Sequence, residues 1–87
     1  MKKRALIFGI CGQDGVYLAK LLRDQGYEVH GTSRDKEMAN MAGLRLMGVY
    51  DDVTVHSAAL LDFRSVLQVI DDVRPDEIYN LAGQSSV

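Results

Sequence analysis

Short apolar runs alternate along this chain with longer stretches whose apolar residues recur at helical spacing. The first run, Arg4-Ala5-Leu6-Ile7-Phe8, stops at Gly9 and reads as a buried strand. From about Gly12 the pattern turns helical through Tyr17-Leu18-Ala19-Lys20-Leu21-Leu22, and Gly26 after Asp24-Gln25 supplies a left-handed stop. Glu28-Val29-His30-Gly31-Thr32-Ser33 predicts a second strand, short and weakly apolar. A second helix is predicted over Lys36 to Met47, with Met38, Met41, Leu44 and Met47 on the face that packs on the sheet and Gly48 as its end. Val53-Thr54-Val55-His56 alternates as a half-buried strand does. Asp62 then caps a third helix whose stripe of Phe63, Val66, Leu67 and Ile70 follows i, i+3, i+4, i+7. Pro75 ends that helix, and Glu77-Ile78-Tyr79-Asn80-Leu81 supplies a fourth strand.

Strands alternating with helices imply parallel pairing through right-handed crossovers. The expected fold is α/β, a partial Rossmann (doubly wound) parallel sheet of strand order 3-2-1-4. With 87 residues it forms at most one small domain with a modest core, and no internal repeat, linker or low-complexity segment interrupts it. Ligands of such sheets bind at the carboxyl ends of the strands. The chain stops at Ser85-Ser86-Val87, just after its fourth strand, so residues 1–87 are expected to be the N-terminal part of a dinucleotide-binding domain in a longer protein.

Composition narrows the function classes without choosing among them. At 47% hydrophobic and 25% charged residues the chain is of globular type, and a net charge of -2 argues against an electrostatic nucleic-acid surface. Met1-Lys2-Lys3-Arg4 is basic, but the apolar run behind it is too short for a signal peptide, and no stretch could cross a bilayer. Cys11 is alone, which excludes an internal disulfide framework and gives no metal-ligand spacing. The cytoplasm is the expected compartment.

The strongest chemical signal is Gly9-Ile10-Cys11-Gly12-Gln13-Asp14-Gly15, placed between a strand and a helix. Gly9 lets the strand turn, Gly12 brings bare backbone to a pyrophosphate, and Gly15 allows the helix to pack on its own strand. Amide groups and the positive dipole at the helix start favour phosphate. The spacing is looser than the dehydrogenase fingerprint and matches short-chain dehydrogenase-like turns. At the end of the second strand an acid would select NAD, whereas Thr32, Ser33 and Arg34 favour the 2′-phosphate of NADP. The plainer alternative pairs Arg34 with Asp35 in solvent. Cys11 at a helix start could be an activated thiol, although a small packing residue fits better with no histidine nearby. His30 and His56 lack ligand spacing and read as structural. The small and polar residues of Asn80-Leu81-Ala82-Gly83-Gln84-Ser85 suit either a cofactor ribose or an ordinary loop.

Four segments together resemble the N-terminal part of the GDP-mannose 4,6-dehydratase family, within the extended short-chain dehydrogenase/reductases. They are the glycine turn, Tyr27-Glu28-Val29-His30-Gly31, Pro75-Asp76-Glu77-Ile78-Tyr79-Asn80-Leu81-Ala82 and Gln84-Ser85. The resemblance implies an NADP enzyme that oxidises C4 of GDP-mannose, eliminates water across C5 and C6, and returns the hydride. It places Gly9, Ile10, Cys11, Gly12, Gln13, Asp14 and Gly15 at the pyrophosphate and Arg34 at the 2′-phosphate. Ala59 and Leu60 would stand at adenine, Leu81, Ala82, Gly83 and Gln84 along the nicotinamide ribose, and Ser85 near the sugar. The family's catalytic threonine, glutamate and Tyr-x-x-x-Lys pair would lie beyond Val87, so this chain alone is expected to be inactive. Three departures stand out: Ala59-Leu60 where the family has Asp-Leu, Gly83 for alanine, and Ser86 for a histidine. A related nucleotide-sugar reductase or epimerase, or a non-catalytic NADP-sensing module, remains an alternative. The expected partners are a nucleotide sugar and a second copy of the chain, through an unpaired sheet edge and bare apolar surface.

Overall fold

The computed structural model describes residues 2–34 and 40–82. Four strands, β1 (Arg4–Phe8), β2 (Glu28–Ser33), β3 (Val53–Ser57) and β4 (Glu77–Asn80), form one sheet of order β3-β2-β1-β4. Every pairing is parallel, with Leu6 opposite His30 and Ile78, and Thr32 opposite His56. The sequence-predicted topology is therefore the observed one. β1 lies between β2 and β4, and its residues Ala5, Leu6, Ile7 and Phe8 are buried on both faces, which is why that strand reads as an unbroken apolar run. Main-chain bonds from Asp76 N to Arg4 O (2.8 Å) and from Leu81 N to Phe8 O (2.9 Å) fasten β4 along it.

Helices cover the two faces unequally. α1 (Gln13–Asp24) and α2 (Ala42–Leu46) lie on one face, where Val16, Ala19, Leu22 and Leu44 pack with Ala5, Ile7, Ile10 and Val29. Both helices end as their glycines require. Gly26 (φ +90) and Gly48 (φ +75) carry the left-handed turn, and the next amides, Tyr27 N and Val49 N, reach back to Leu22 O and Leu44 O at 3.0 Å. α3 (Phe63–Val73) covers the other face, with Val69 and Val73 against Leu6 and Phe8.

Two helices differ from their sequence expectation. Within the described residues α2 begins only at Ala42, because Asn40 Oδ1 accepts the Ala42 amide (2.9 Å) and holds Asn40 and Met41 outside the helix. Met41 and Met47 do pack against the core as expected, while Met38 lies outside the described residues. In α3 the buried stripe is Val66, Val69, Ile70 and Val73, one turn later than expected. Phe63 and Leu67 are left 72% and 51% exposed, and Ile78 on the edge strand β4 is 49% exposed. Among the described residues no helix is long and apolar enough to cross a membrane.

Candidate functional site: a cleft at the carboxyl ends of the strands

The turn after β1 is held to its neighbours by backbone. Gly9 N and Ile10 N both donate to the Thr32 carbonyl at 3.1 Å, which pins the turn to the end of β2. Gly9 has φ +88, and a Cβ there would stand 2.8 Å from Ala82 Cα, so β1 and the residues after β4 meet in bare contact. Asn80 Oδ1 accepts the Ala82 amide (3.3 Å) and shapes that approach. Gly15 sits under the turn, where a Cβ would stand 2.8 Å from Ile10 Cα. Gly12 differs from both. Its φ of -75° suits any residue, and a Cβ on it would meet only Gly9 O, at an ordinary 3.6 Å.

Gly12 borders a cleft of about 770 Å³, a volume typical of small-molecule sites. Gly9, Cys11, Gly12, Thr32, Ser33, Arg34, Ala59, Leu60, Leu81 and Ala82 line it, together with Ala58 and Leu61. The ends of β1, β2, β3 and β4 thus converge there, as Brändén's rule for open α/β sheets expects. α1 starts at its rim with Gly12 as N-cap and no side chain capping the first turn. Its leading amides are free to meet an anion. Arg34 brings a guanidinium to the same cleft, and no carboxylate lines it among the described residues.

The sequence-predicted residues sort into three groups. Gly9, Cys11, Gly12, Arg34, Ala59, Leu60, Leu81 and Ala82 line the cleft. Ile10 and Gly15 are buried beneath it, with Ile10 packed over Gly31 and its amide already bonded to Thr32, while Gln13 and Asp14 are exposed at the start of α1. Gly83, Gln84, Ser85 and Asp35 lie outside the described residues. Ala58 and Leu61 were missed; their only signal was position, in the loop after a strand end.

Cys11 packs, partly buried, against the core. Burial pushes its thiol pKa up, against a smaller opposing hydrogen bond with Ser33, and its sulfur lies 3.7 Å from Met41 Sδ. Away from the cleft, adjacent strands bring together two histidines that the sequence kept apart. His30 Nδ1 and His56 Nε2 are 3.1 Å apart, and His30 Nε2 meets Glu28 Oε2 at 2.7 Å. Among the described residues no group of three or more ligating side chains could hold a metal.

Bare backbone at Gly12, an uncapped helix start, one guanidinium and an apolar wall make a cleft whose donors fit an elongated phosphate-bearing ligand. The family described as GDP-mannose 4,6 dehydratase matches residues 6–87. The chain belongs to the GDP-mannose 4,6-dehydratase family. It is 43% identical over 94 residues to the GDP-mannose 4,6-dehydratase of Vibrio cholerae, covering 100% of this chain and 25% of that protein. With GDP-mannose 4,6 dehydratase 2 of Arabidopsis thaliana the identity is 44%, covering 99% of this chain and 25% of the relative. The chain therefore spans about a quarter of the length of these dehydratases. Its fold also matches the crystal structure of the Bordetella bronchiseptica enzyme WbmH in complex with NAD+. The TM-score is 0.78 and the identity 28%, over 100% of this chain and 28% of that one. The matched span contains every residue that lines the cleft.

Proposed function

We propose that this chain forms the NADP-binding portion of a sugar-nucleotide dehydratase that converts GDP-mannose to GDP-4-dehydro-6-deoxy-mannose. Gly12 carries the reading: neither backbone conformation nor packing requires a glycine there, but a ligand lying against the start of α1 would. Gly9, Cys11 and Gly12 border the pyrophosphate path, with the amides of Gln13, Asp14 and Gly15 behind them. Ile10 contributes by fixing the turn. Arg34, beside Ser33, meets the 2′-phosphate, and that position selects NADP over NAD. Ala59 and Leu60 flank the adenine, Leu81, Ala82, Gly83 and Gln84 the nicotinamide ribose, and Ser85 the sugar. The cofactor held there would supply the hydride acceptor and donor for oxidation at C4 and reduction at C6 of the sugar, around loss of water across C5 and C6. The proton-transfer residues belong to sequence after Val87, so the chain alone is inactive. The working protein is a cytoplasmic homo-oligomer.

Calorimetry with NADPH and NADH tests the cofactor assignment. The chain is expected to favour NADPH by about tenfold or more, and Arg34→Ala to remove most of that preference, as loss of a charge-assisted phosphate contact should. Equal affinities unchanged by the substitution would sink it. For the reaction, the protein extended past Val87 and incubated with GDP-mannose should yield a product lighter by one water. An isomer of unchanged mass would mark an epimerase instead.

A further inference from the structure

We infer that His30 and His56 form a clasp between β2 and β3 that holds through one shared hydrogen, tolerates one added proton and opens on the second. The pair lies on the sheet face that α3 covers, since His30 stands opposite Leu6. It sits two residues before Thr32 and Ala58, where the cleft begins. The inference does not depend on what the cleft binds.

Alignment carries it. The ring centroids are 5.3 Å apart, close to the sum of the 3.1 Å contact and the two ring radii. His30 Nδ1 and His56 Nε2 therefore point at each other along the line between the rings, and the gap has room for one hydrogen. Two N–Zn bonds of about 2.0 Å do not fit end to end into it, so a proton suits the gap and a metal ion does not. On the far side of the ring, Glu28 Oε2 lies 2.7 Å from His30 Nε2, and that bond holds Glu28 below the usual carboxylate range. A carboxylate only accepts, so His30 Nε2 carries a hydrogen. Neutral His30 then presents a bare Nδ1, and His56 Nε2–H donates to it.

One added proton still leaves a single hydrogen in the gap, now in a charge-assisted bond. A second sets N–H against N–H and puts two cations in contact. The His30 side chain is 13% exposed, so little water screens them. The charges around the pair come from three elements. Glu28 on β2 is shared with Arg4 of β1, whose Nε is 3.4 Å from the same oxygen, and with Lys2. From α3, Asp72 borders a groove with His56, and its Oδ1 accepts from Gln68 Nε2. Both carboxylates favour the first proton; neither relieves two hydrogens meeting in the gap.

NMR of the chain isotope-labelled at histidine nitrogen tests this, because the sequence holds two histidines only. At about pH 8 both rings are expected as the Nε2–H tautomer. On acidification the pair should take its two protons in steps at least about one pH unit apart, the first seen at both rings together. Hydrogen exchange of the β3 amides, corrected for intrinsic rate, should stay flat through the first step and rise about tenfold or more through the second. His56→Gln should leave His30 a single step and abolish that rise, while Glu28→Gln should move the first step to lower pH. Independent single-step curves, unaltered when the neighbouring ring is removed, overturn the inference. So does parent β3 exchange that tracks that of His56→Gln. If circular dichroism shows His56→Gln unfolded, the parent's two steps and its exchange profile still decide.

Discussion

Gly12 and Gly15 stand three positions apart in one turn and answer to different constraints. A Cβ on Gly15 would press on the backbone of Gly9 and Ile10, which cannot move without shifting β1. Gly15→Ala is expected to lower stability by about 1–3 kcal/mol in urea denaturation, the range of an overpacked core. Gly12→Ser should behave in the opposite way. Serine is a good N-cap, so stability should hold within about 0.5 kcal/mol, while its side chain fills the phosphate path and weakens dinucleotide binding by tenfold or more. Full affinity in Gly12→Ser would remove the reason for reading Gly12 as a ligand contact. The spacing of these glycines was legible in the sequence because strand, turn and helix follow in order. The place of Ile10 was not. Its amide is taken by Thr32 and its side chain covers Gly31, and both facts depend on the register between β1 and β2. The same holds for His30 and His56, two residues out of register on adjacent strands and brought together only by their pairing.

At the scale of elements, α3 shows how far a periodic pattern can go. Phe63, Val66, Leu67, Val69, Ile70 and Val73 contain two overlapping stripes one turn apart, and either satisfies helical spacing. Leu6 and Phe8 on β1 choose the later one, a choice set by where the helix crosses the sheet. The start of α3 was legible, since Asp62 caps it through Arg64 N and Ser65 N. Asp62→Ala should therefore lower stability by about 1 kcal/mol, read as a shifted urea midpoint with unchanged slope. No shift would mean that the cap adds nothing to stability. The short α2 was less legible, because the methionine spacing does not reveal that the Asn40 side chain competes for the Ala42 amide. The cleft was visible as strand ends and a turn. Its wall was only half visible, since Ala58 and Leu61 carry no chemical signature of their own.

Across the whole molecule, the amino ends of β1, β2 and β4 are joined by one carboxylate. Tyr79 and Tyr27 donate to Glu77 Oε1 and Oε2 at 2.6 and 2.9 Å, with Lys3 Nζ at 4.0 Å. The hydroxyls of Tyr79 and then Tyr27 hold Glu77 below the usual carboxylate range, and the same bonds push both tyrosines above theirs. Glu28, bonded to His30, and Asp24, bonded to Lys20, are depressed as well. For a depressed carboxyl the stabilisation is present above its unfolded pKa and is lost as pH falls through the folded one. For a raised tyrosine it is present below the unfolded pKa and is lost as pH rises through the folded one. The urea midpoint should therefore fall below about pH 4 and again above about pH 10. Glu77→Gln should flatten both limbs; an unchanged profile would assign no pH-dependent stability to this contact. Order of arrival also matters. Asp76 and Leu81 fasten β4 beside β1, a strand made before β2 and β3. β1, β2 and β3 can pair while the chain is still growing, but one flank of β1 must wait for β4. Until then its main-chain groups are an open template, so a chaperone or a pause in translation would act at the interval between Ser57 and Glu77.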